Sequence, residues 1–249
     1  MIGAAETAEF RRSGFLVVRE FLAAPMLHTL QAELDRYIRT VVPELPGSAA
    51  FYHDPRVPAT LKQLQQMAVD PFFDRVRHQE HWVHGAQALL AEPVHAQEPE
   101  WFNKPAGTDH ATPPHQDNYY FCLKPPNALT IWVAIDPVDA DNGCLRYIEG
   151  SHRRGIRDHR STTVLGFSQG ITDYDDSDRA REVAITLKPG DAVIHHCETI
   201  HRADANRSEA RERRAFAIVF RGASCQRDAS AYQRYQASLK LQHQQFGVD

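Results

Sequence analysis

ALTIWVAIDPV, residues 128–138, is the stretch that sets the fold class: it reads as a β-strand closed by Asp and Pro, and three more runs of the same kind follow it. They are CLRYIEGSH at 144–152, VAITLKPGDAVIHH at 183–196 and RAFAIVFRG at 214–222. Gly, Pro, Asn and Asp separate them, with DADNG (139–143) and KPGD (188–191) reading as turns between strands. Upstream the pattern changes. Residues 25–41 carry Leu27, Leu30, Leu34, Ile38 and Val41 at spacings of three and four, which predicts an amphipathic helix. Residues 71–92 predict a second one, with Phe72, Val76, Val83, Ala86, Leu89 and Leu90 as its apolar face and Pro93 as its stop. Residues 153–181 have few strand signals and read as a loop or partial lid, and a Gln-rich helix is expected from 229 to 246. No Pro/Gly/Ser-rich linker divides the chain. The expectation is one domain, 1–249, mainly β with flanking helices: a mostly helical part (1–100) packed on a β core (101–228), and a C-terminal helix (229–249).

The chain has 249 residues, 42% hydrophobic and 24% charged, which suits a globular protein with a sizeable core. A formal charge of −4 leaves no electrostatic footprint for nucleic acid or an anionic membrane. The apolar runs are far shorter than the roughly 20 residues of a membrane-spanning helix. The start, MIGAAETAEFRRSG, lacks a signal-peptide apolar region, so a cytoplasmic location is expected. Cys122, Cys144, Cys197 and Cys225 are widely spaced, with neither a zinc-ribbon nor a disulfide-scaffold pattern, and are expected to be reduced.

Fourteen histidines invite a search for metal-ligand spacing. In PPHQDNYYF, 113–121, a strand would project His115 and Asp117 to one side and Gln116 to the other, placing an imidazole beside a carboxylate. A divalent ion such as Fe(II) accepts both donors, and one more ligand would complete a face of an octahedron. GDAVIHHCETIHRADANRS (190–208) offers His195, His196 and His201. His201 leads; His196 is expected to pack at the strand end and His195 to face solvent, either being the alternative ligand. His-x-Asp alone is a weak signal. The arginine-rich approach to the next strand, RSEARERRAFAIVF at 207–220, adds a cationic anchor suited to a dicarboxylate.

Taken in order, GFLVVREFL (14–22), HQD (115–117), TIWVAID (130–136), DNGCLRYIEGSH (141–152), KPGDAVIHH (188–196), TIHRADANRS (199–208) and RRAFAIVF (213–220) resemble the phytanoyl-CoA dioxygenase family of Fe(II)- and 2-oxoglutarate-dependent oxygenases. The resemblance covers most of the chain. It implies a double-stranded β-helix, or jelly-roll, cupin-like core, with iron held by His115, Asp117 and His201. It also implies O2 and 2-oxoglutarate as cosubstrates, succinate and CO2 as products, and hydroxylation of a C–H bond in a small molecule.

The family's 2-oxoglutarate-binding arginine lies about eleven residues beyond the second histidine. Arg213 and Arg211 bracket that position, and Arg213 is favoured because it shares strand parity with Ala215 and Ala217, away from Phe216, Ile218 and Phe220. Lys104 and Trp132 are further candidates for the cosubstrate; Asn103, Tyr119, Tyr120 and Arg153 are candidates for the substrate pocket. Ala203 stands where many relatives carry Ser or Thr. Asp117 argues against halogenation, whose enzymes in this family lack the carboxylate.

Arg153, Arg154, Arg157 and Arg160 in SHRRGIRDHR (151–160) could form a basic rim for an anionic substrate, or a solvated loop balanced by Asp158 and the acidic residues of 173–178. His152 reads as a turn residue beside the site, and Tyr147 as core. The rival readings are a non-catalytic jelly-roll binding or sensing module and a metal-dependent hydrolase or isomerase using the same ligands. EGSHR lacks the second glycine of a serine-hydrolase nucleophile elbow.

Overall fold

The computed structural model describes residues 2–54, 56–108, 110–162 and 169–246. Its core is two antiparallel sheets. In the larger, Phe15–Val18, Ala192–His196, Ala128–Ala134, Ala215–Gly222, Glu100–Phe102, Leu61–Leu64 and Ala50–Tyr52 lie side by side, with Val94–Ala96 also paired to Ala215–Gly222. The smaller runs Glu182–Ile185, Leu145–Ile148, His201–Ala203, Thr112–His115. The architecture is a jelly roll with flanking helices.

All seven residues of Ala128–Ala134 are buried, because the central strand is covered on both faces. Leu129, Ile131 and Val133 share the outer face with Ile194, Phe216, Ile218 and Phe220, under a layer that includes Leu27, Leu30, Leu34 and Tyr37 of the Ala24–Thr40 helix. On the inner face, Trp132, Ala134, Val193, Ala215 and Ala217 meet Leu145, Tyr147, Ile185 and Ala203 of the smaller sheet. The inner face mixes these larger residues with alanines, Ala203, Ala215 and Ala217 among them. The DADNG turn is tight enough to demand glycine: Gly143 has φ +92°, and a Cβ there would stand 2.7 Å from the Asp204 carbonyl oxygen.

Several sequence expectations need correction. The 71–92 stretch is two helices, Pro71–Arg77 and Glu80–Leu90. No Gly or Pro marks the break, and Val76 and Val83, seven residues apart, keep one apolar face across it, so periodicity alone conceals it. A helix at Ala4–Ser13, closed by Gly14, had no separate signal. Residues 1–100 are not only a helical layer, since they lend the larger sheet four strands and the start of a fifth, Glu100–Phe102. The 153–181 stretch holds more order than a loop: a two-stranded ribbon, His159–Ser161 with Gln169–Ile171, and a helical turn at Asp176–Arg179. Its residues 163–168 lie outside the described residues, as do 247–249 of the expected C-terminal helix, which runs Ala229–Phe246.

Phe216 is fully buried, 5.7 Å from the Phe73 ring and 5.9 Å from Trp82. It joins strand to helical layer, so Phe216→Ala is expected to cost about 3–5 kcal/mol in a denaturant titration, through lost burial and the cavity left behind.

Candidate active site

Neighbouring strands of the smaller sheet bring two distant histidines together. His201 stands directly opposite His115 in one antiparallel pairing and opposite Tyr147 in the other. The imidazole centroids of His115 and His201 are 4.2 Å apart. Each ring donates Nδ1–H to a backbone carbonyl, His115 to Pro113 at 2.8 Å and His201 to Thr199 at 3.0 Å. A carbonyl can only accept, so in the neutral form of each ring Nε2 is the lone-pair nitrogen. These atoms face Asp117 Oδ1 at 3.5 and 3.6 Å. One ligand atom from each of the three residues lies within 4.8 Å of the others.

Asp117 does not arrive by strand alternation. The strand ends at His115, and Asp117 has helical angles (φ −56°, ψ −35°) at the head of the Asn118–Phe121 turn. Gln116, fully buried, fixes that change of direction: its amide nitrogen donates to the carbonyls of Gly155 and Glu198, and its oxygen accepts from Arg157 N.

The second carboxylate oxygen, Asp117 Oδ2, accepts from Thr130 Oγ1 at 2.9 Å and from His195 Nε2 at 3.0 Å. The Tyr147 hydroxyl lies 3.0 Å from His195 Nδ1 and completes this buried chain. His195 therefore corrects the expectation that it faces solvent: it is 3% exposed and points into the roll, in register with Thr130. His196 packs against His152, as a strand-end residue should. His152 itself is held by the Arg11 carbonyl of the N-terminal helix. Burial would raise the Asp117 carboxyl, but His201, His115 and His195 hold it well below the usual carboxylate range. Burial, then His115, pushes His201 well below the ordinary imidazole value. An ionised acid and a neutral imidazole are the forms in which these groups ligate a metal.

Arg213 is 4% exposed on the inner side, its guanidinium 5.2 Å from the centre of the Trp132 ring. Among the described residues it has no carboxylate partner, its Nε is unbonded, and burial brings the group down to about 10. Lys104 pairs with Arg213 through the backbone; burial, then Arg213, pushes its amine well below the ordinary value while Nζ donates to the His110 carbonyl. Tyr120 sits edge-on to His115 at 5.9 Å and donates its hydroxyl to the Gln169 carbonyl. Tyr119 stacks on His159 at 4.3 Å. Asn103 is buried beside the neighbouring strand, its Nδ2 3.4 Å from the Leu61 carbonyl.

Two arginines are elsewhere. Arg211 is clamped at the surface by Asp139 at 2.7 and 3.1 Å and by Asp141 at 2.9 Å. Its parity matches that of Arg213, but the strand begins only at Ala215, so alternation could not separate the two. Arg153 is exposed on the Ser151–Arg154 turn, which follows the smaller sheet, and Arg157 of the same segment is neutralised by Asp178 and Asp173 at 2.7 and 2.8 Å.

The sequence profile of phytanoyl-CoA dioxygenase (PhyH) matches residues 10–215. The chain belongs to this family. Phytanoyl-CoA dioxygenase domain-containing protein 1 of Danio rerio is 34% identical over 151 residues, 57% of this chain and 50% of the relative, so the chain spans half of that protein's length. Among solved structures, EvdO2 from Micromonospora carbonacea var. aurantiaca, complexed with 2-oxoglutarate, superposes with a TM-score of 0.73 at 24% identity, covering 92% of this chain and 94% of its own. EctD from S. alaskensis with bound Fe gives 0.75 at 20% identity, covering 91% and 79%. These structures share the fold. Within the family pattern, Ala203 is a departure that adds no polar group to the interior, where it packs with Ala215 and Ala217.

Sequence reasoning missed that Thr130 and His195 hold Asp117; the available signal was their alternation with Trp132 and Val193 on inward-facing positions. Losing such a support typically weakens a metal site 10–100-fold. Thr130→Val is accordingly expected to weaken Co(II) binding at least about tenfold in a spectroscopic titration, with Arg211→Ala unchanged.

Proposed function

We propose that this chain is an Fe(II)- and 2-oxoglutarate-dependent dioxygenase that hydroxylates a C–H bond of a small molecule, releasing succinate and CO2. The observation that carries the reading is the pairing of a two-histidine, one-carboxylate cluster with a buried arginine that, among the described residues, has no acid of its own. The donor set fits iron: with Nδ1 of each ring held by a carbonyl, the neutral imidazoles present Nε2 as ligand atoms, and Asp117 offers one oxygen while its other is engaged. His115, Asp117 and His201 would occupy one face of the ion. Bound iron, with 2-oxoglutarate and O2, supplies an oxidant able to take hydrogen from an unactivated carbon.

The chain's own groups bind, orient and exclude. Arg213 would receive the distal carboxylate of 2-oxoglutarate through a planar, two-pronged contact, which a lysine cannot reproduce. Trp132 holds the guanidinium plane. Lys104 lies beside that contact, although its amine is engaged by the His110 carbonyl. Ala203, Ala215 and Ala217 leave the volume that the cosubstrate would fill, and Tyr120 walls the metal side against His115. His195, itself bonded to Tyr147, holds Asp117 in place from the larger sheet. We place the protein in the cytoplasm: its four cysteines are free thiols, and among the described residues no helix is long and apolar enough to cross a membrane.

Under argon, Fe(II) with 2-oxoglutarate should give the weak visible charge-transfer band of a chelated 2-oxo acid. Asp117→Ala and His115→Ala should abolish it, and Arg213→Lys should raise the 2-oxoglutarate concentration needed for it at least about tenfold, the value of one charge-assisted hydrogen bond. An unchanged band in both ligand variants would remove those residues from the centre. A binding module would consume no O2, and a hydrolase or isomerase would turn over under argon.

A further inference from the structure

The inner face carries a second carboxyl that neither the metal cluster nor Arg213 uses. Glu100 stands opposite Ala217, and Ala217 stands opposite Trp132, so all three point into the roll. The strand of Glu100 and that of Thr130 flank the same central strand, which sets them roughly 10 Å apart across the pocket. Ala217, lying between, is too small to screen one from the other. Burial raises the Glu100 carboxyl to about 7; the Gln63 hydrogen bond opposes that rise, and the Asp117 charge adds a smaller push in the same direction as burial. Its one hydrogen-bond partner is long: Gln63 Nε2 at 3.4 Å. Among the described residues no cation pairs with it. Gln63, opposite the inward-facing Phe102 on the next strand, has its own Oε1 buried and unbonded.

Two adjacent strands thus present acceptors, a carboxyl whose one contact is the long bond from Gln63 and an amide oxygen that, among the described residues, has no donor. Buried acceptors left unpaired cost free energy that a donating guest would recover. We propose that Glu100 and Gln63 form the substrate-recognition subsite, and that it takes a small molecule bearing a protonated amine. This rests on the dioxygenase reading, and charge bookkeeping favours a cation within it. Fe(II) with Asp117, and doubly charged 2-oxoglutarate with Arg213, sum to zero, which leaves Glu100, once ionised, for a cation to match; burial disfavours the charged form of Lys104, and its amine is bound to the His110 carbonyl. The basic loop that suggested an anionic substrate gives no counter-argument, because Arg157 is spent on Asp173 and Asp178 and Arg153 is exposed on the turn after the smaller sheet.

Calorimetry on the full chain, under argon with Fe(II) and 2-oxoglutarate, tests this with three probes of equal length: pentylammonium, pentan-1-ol and pentanoate. Pentylammonium should bind at least tenfold more tightly than the other two. Glu100→Gln should erase that preference with the melting temperature unchanged, and Glu100→Lys should transfer it to pentanoate. Equal binding of the three probes, no binding of any, or an ammonium affinity unaltered in Glu100→Gln would overturn the assignment. The visible band of the chelated 2-oxo acid reads separately: a band without ammonium preference sinks only the subsite, and an ammonium preference without a band sinks the dioxygenase reading.

Discussion

The register that sets His201 opposite His115 is the constraint on which the rest of the site depends. Directly opposed residues on antiparallel strands project to the same side, so two imidazoles from distant parts of the chain are delivered to one point by backbone hydrogen bonding alone. A slip of one residue in either strand would turn one ring out of the roll. Asp117 then arrives from outside the ladder, on a turn that buried Gln116 locks in place. The division of labour between its oxygens follows from this: Oδ1 faces the two rings while Thr130 and His195 hold Oδ2 from the opposite sheet. The cluster is thus braced by both sheets, and anything that separates them would also open the centre.

The interior is built to hold charge that the protein does not itself balance. Arg213 lies against Trp132, an interaction worth about 0.5–2 kcal/mol, well below what it costs to keep an isolated guanidinium from water. Such a group is tolerated in a stable fold when a ligand completes it. Glu100 is the complementary case on the neighbouring strand, an acid with no cation beside it among the described residues and one long contact to Gln63. Between them, Ala215 and Ala217 keep the sheet surface low. Shape and electrostatics are therefore set by one strand, whose outer residues, Phe216, Ile218 and Phe220, anchor it in the helical layer.

Much of this was legible in the residues. The apolar strand runs, the 25–41 helix and the KPGD turn rest on local rules of periodicity and backbone freedom, and His115, Asp117, His201 and Arg213 could be named from motif order. Other features were not. The break at His78–Gln79 was hidden because the apolar face continues across it. Arg211 and Arg213 have the same parity, and only the ion pairs of Arg211 with Asp139 and Asp141 tell them apart. His195 reads as exposed if the strand is taken to end before it, whereas pairing on both sides, with Phe15 and with Thr130, buries it.

By itself, then, the sequence determined the β character of the second half, the order of its strands and the candidate metal ligands, because these follow from side-chain volume, polarity and spacing along the chain. Which side chains share a face across strands was decided only by tertiary structure: the inward turn of His195, the support from Thr130, the isolation of Glu100 and Gln63, and the removal of Arg211 and Arg153 from the pocket. Those depend on register between segments far apart in the chain, such as Glu100 with Ala217 and Phe15 with His195, and hydrogen bonding between strands, unlike periodicity within one, leaves no local trace.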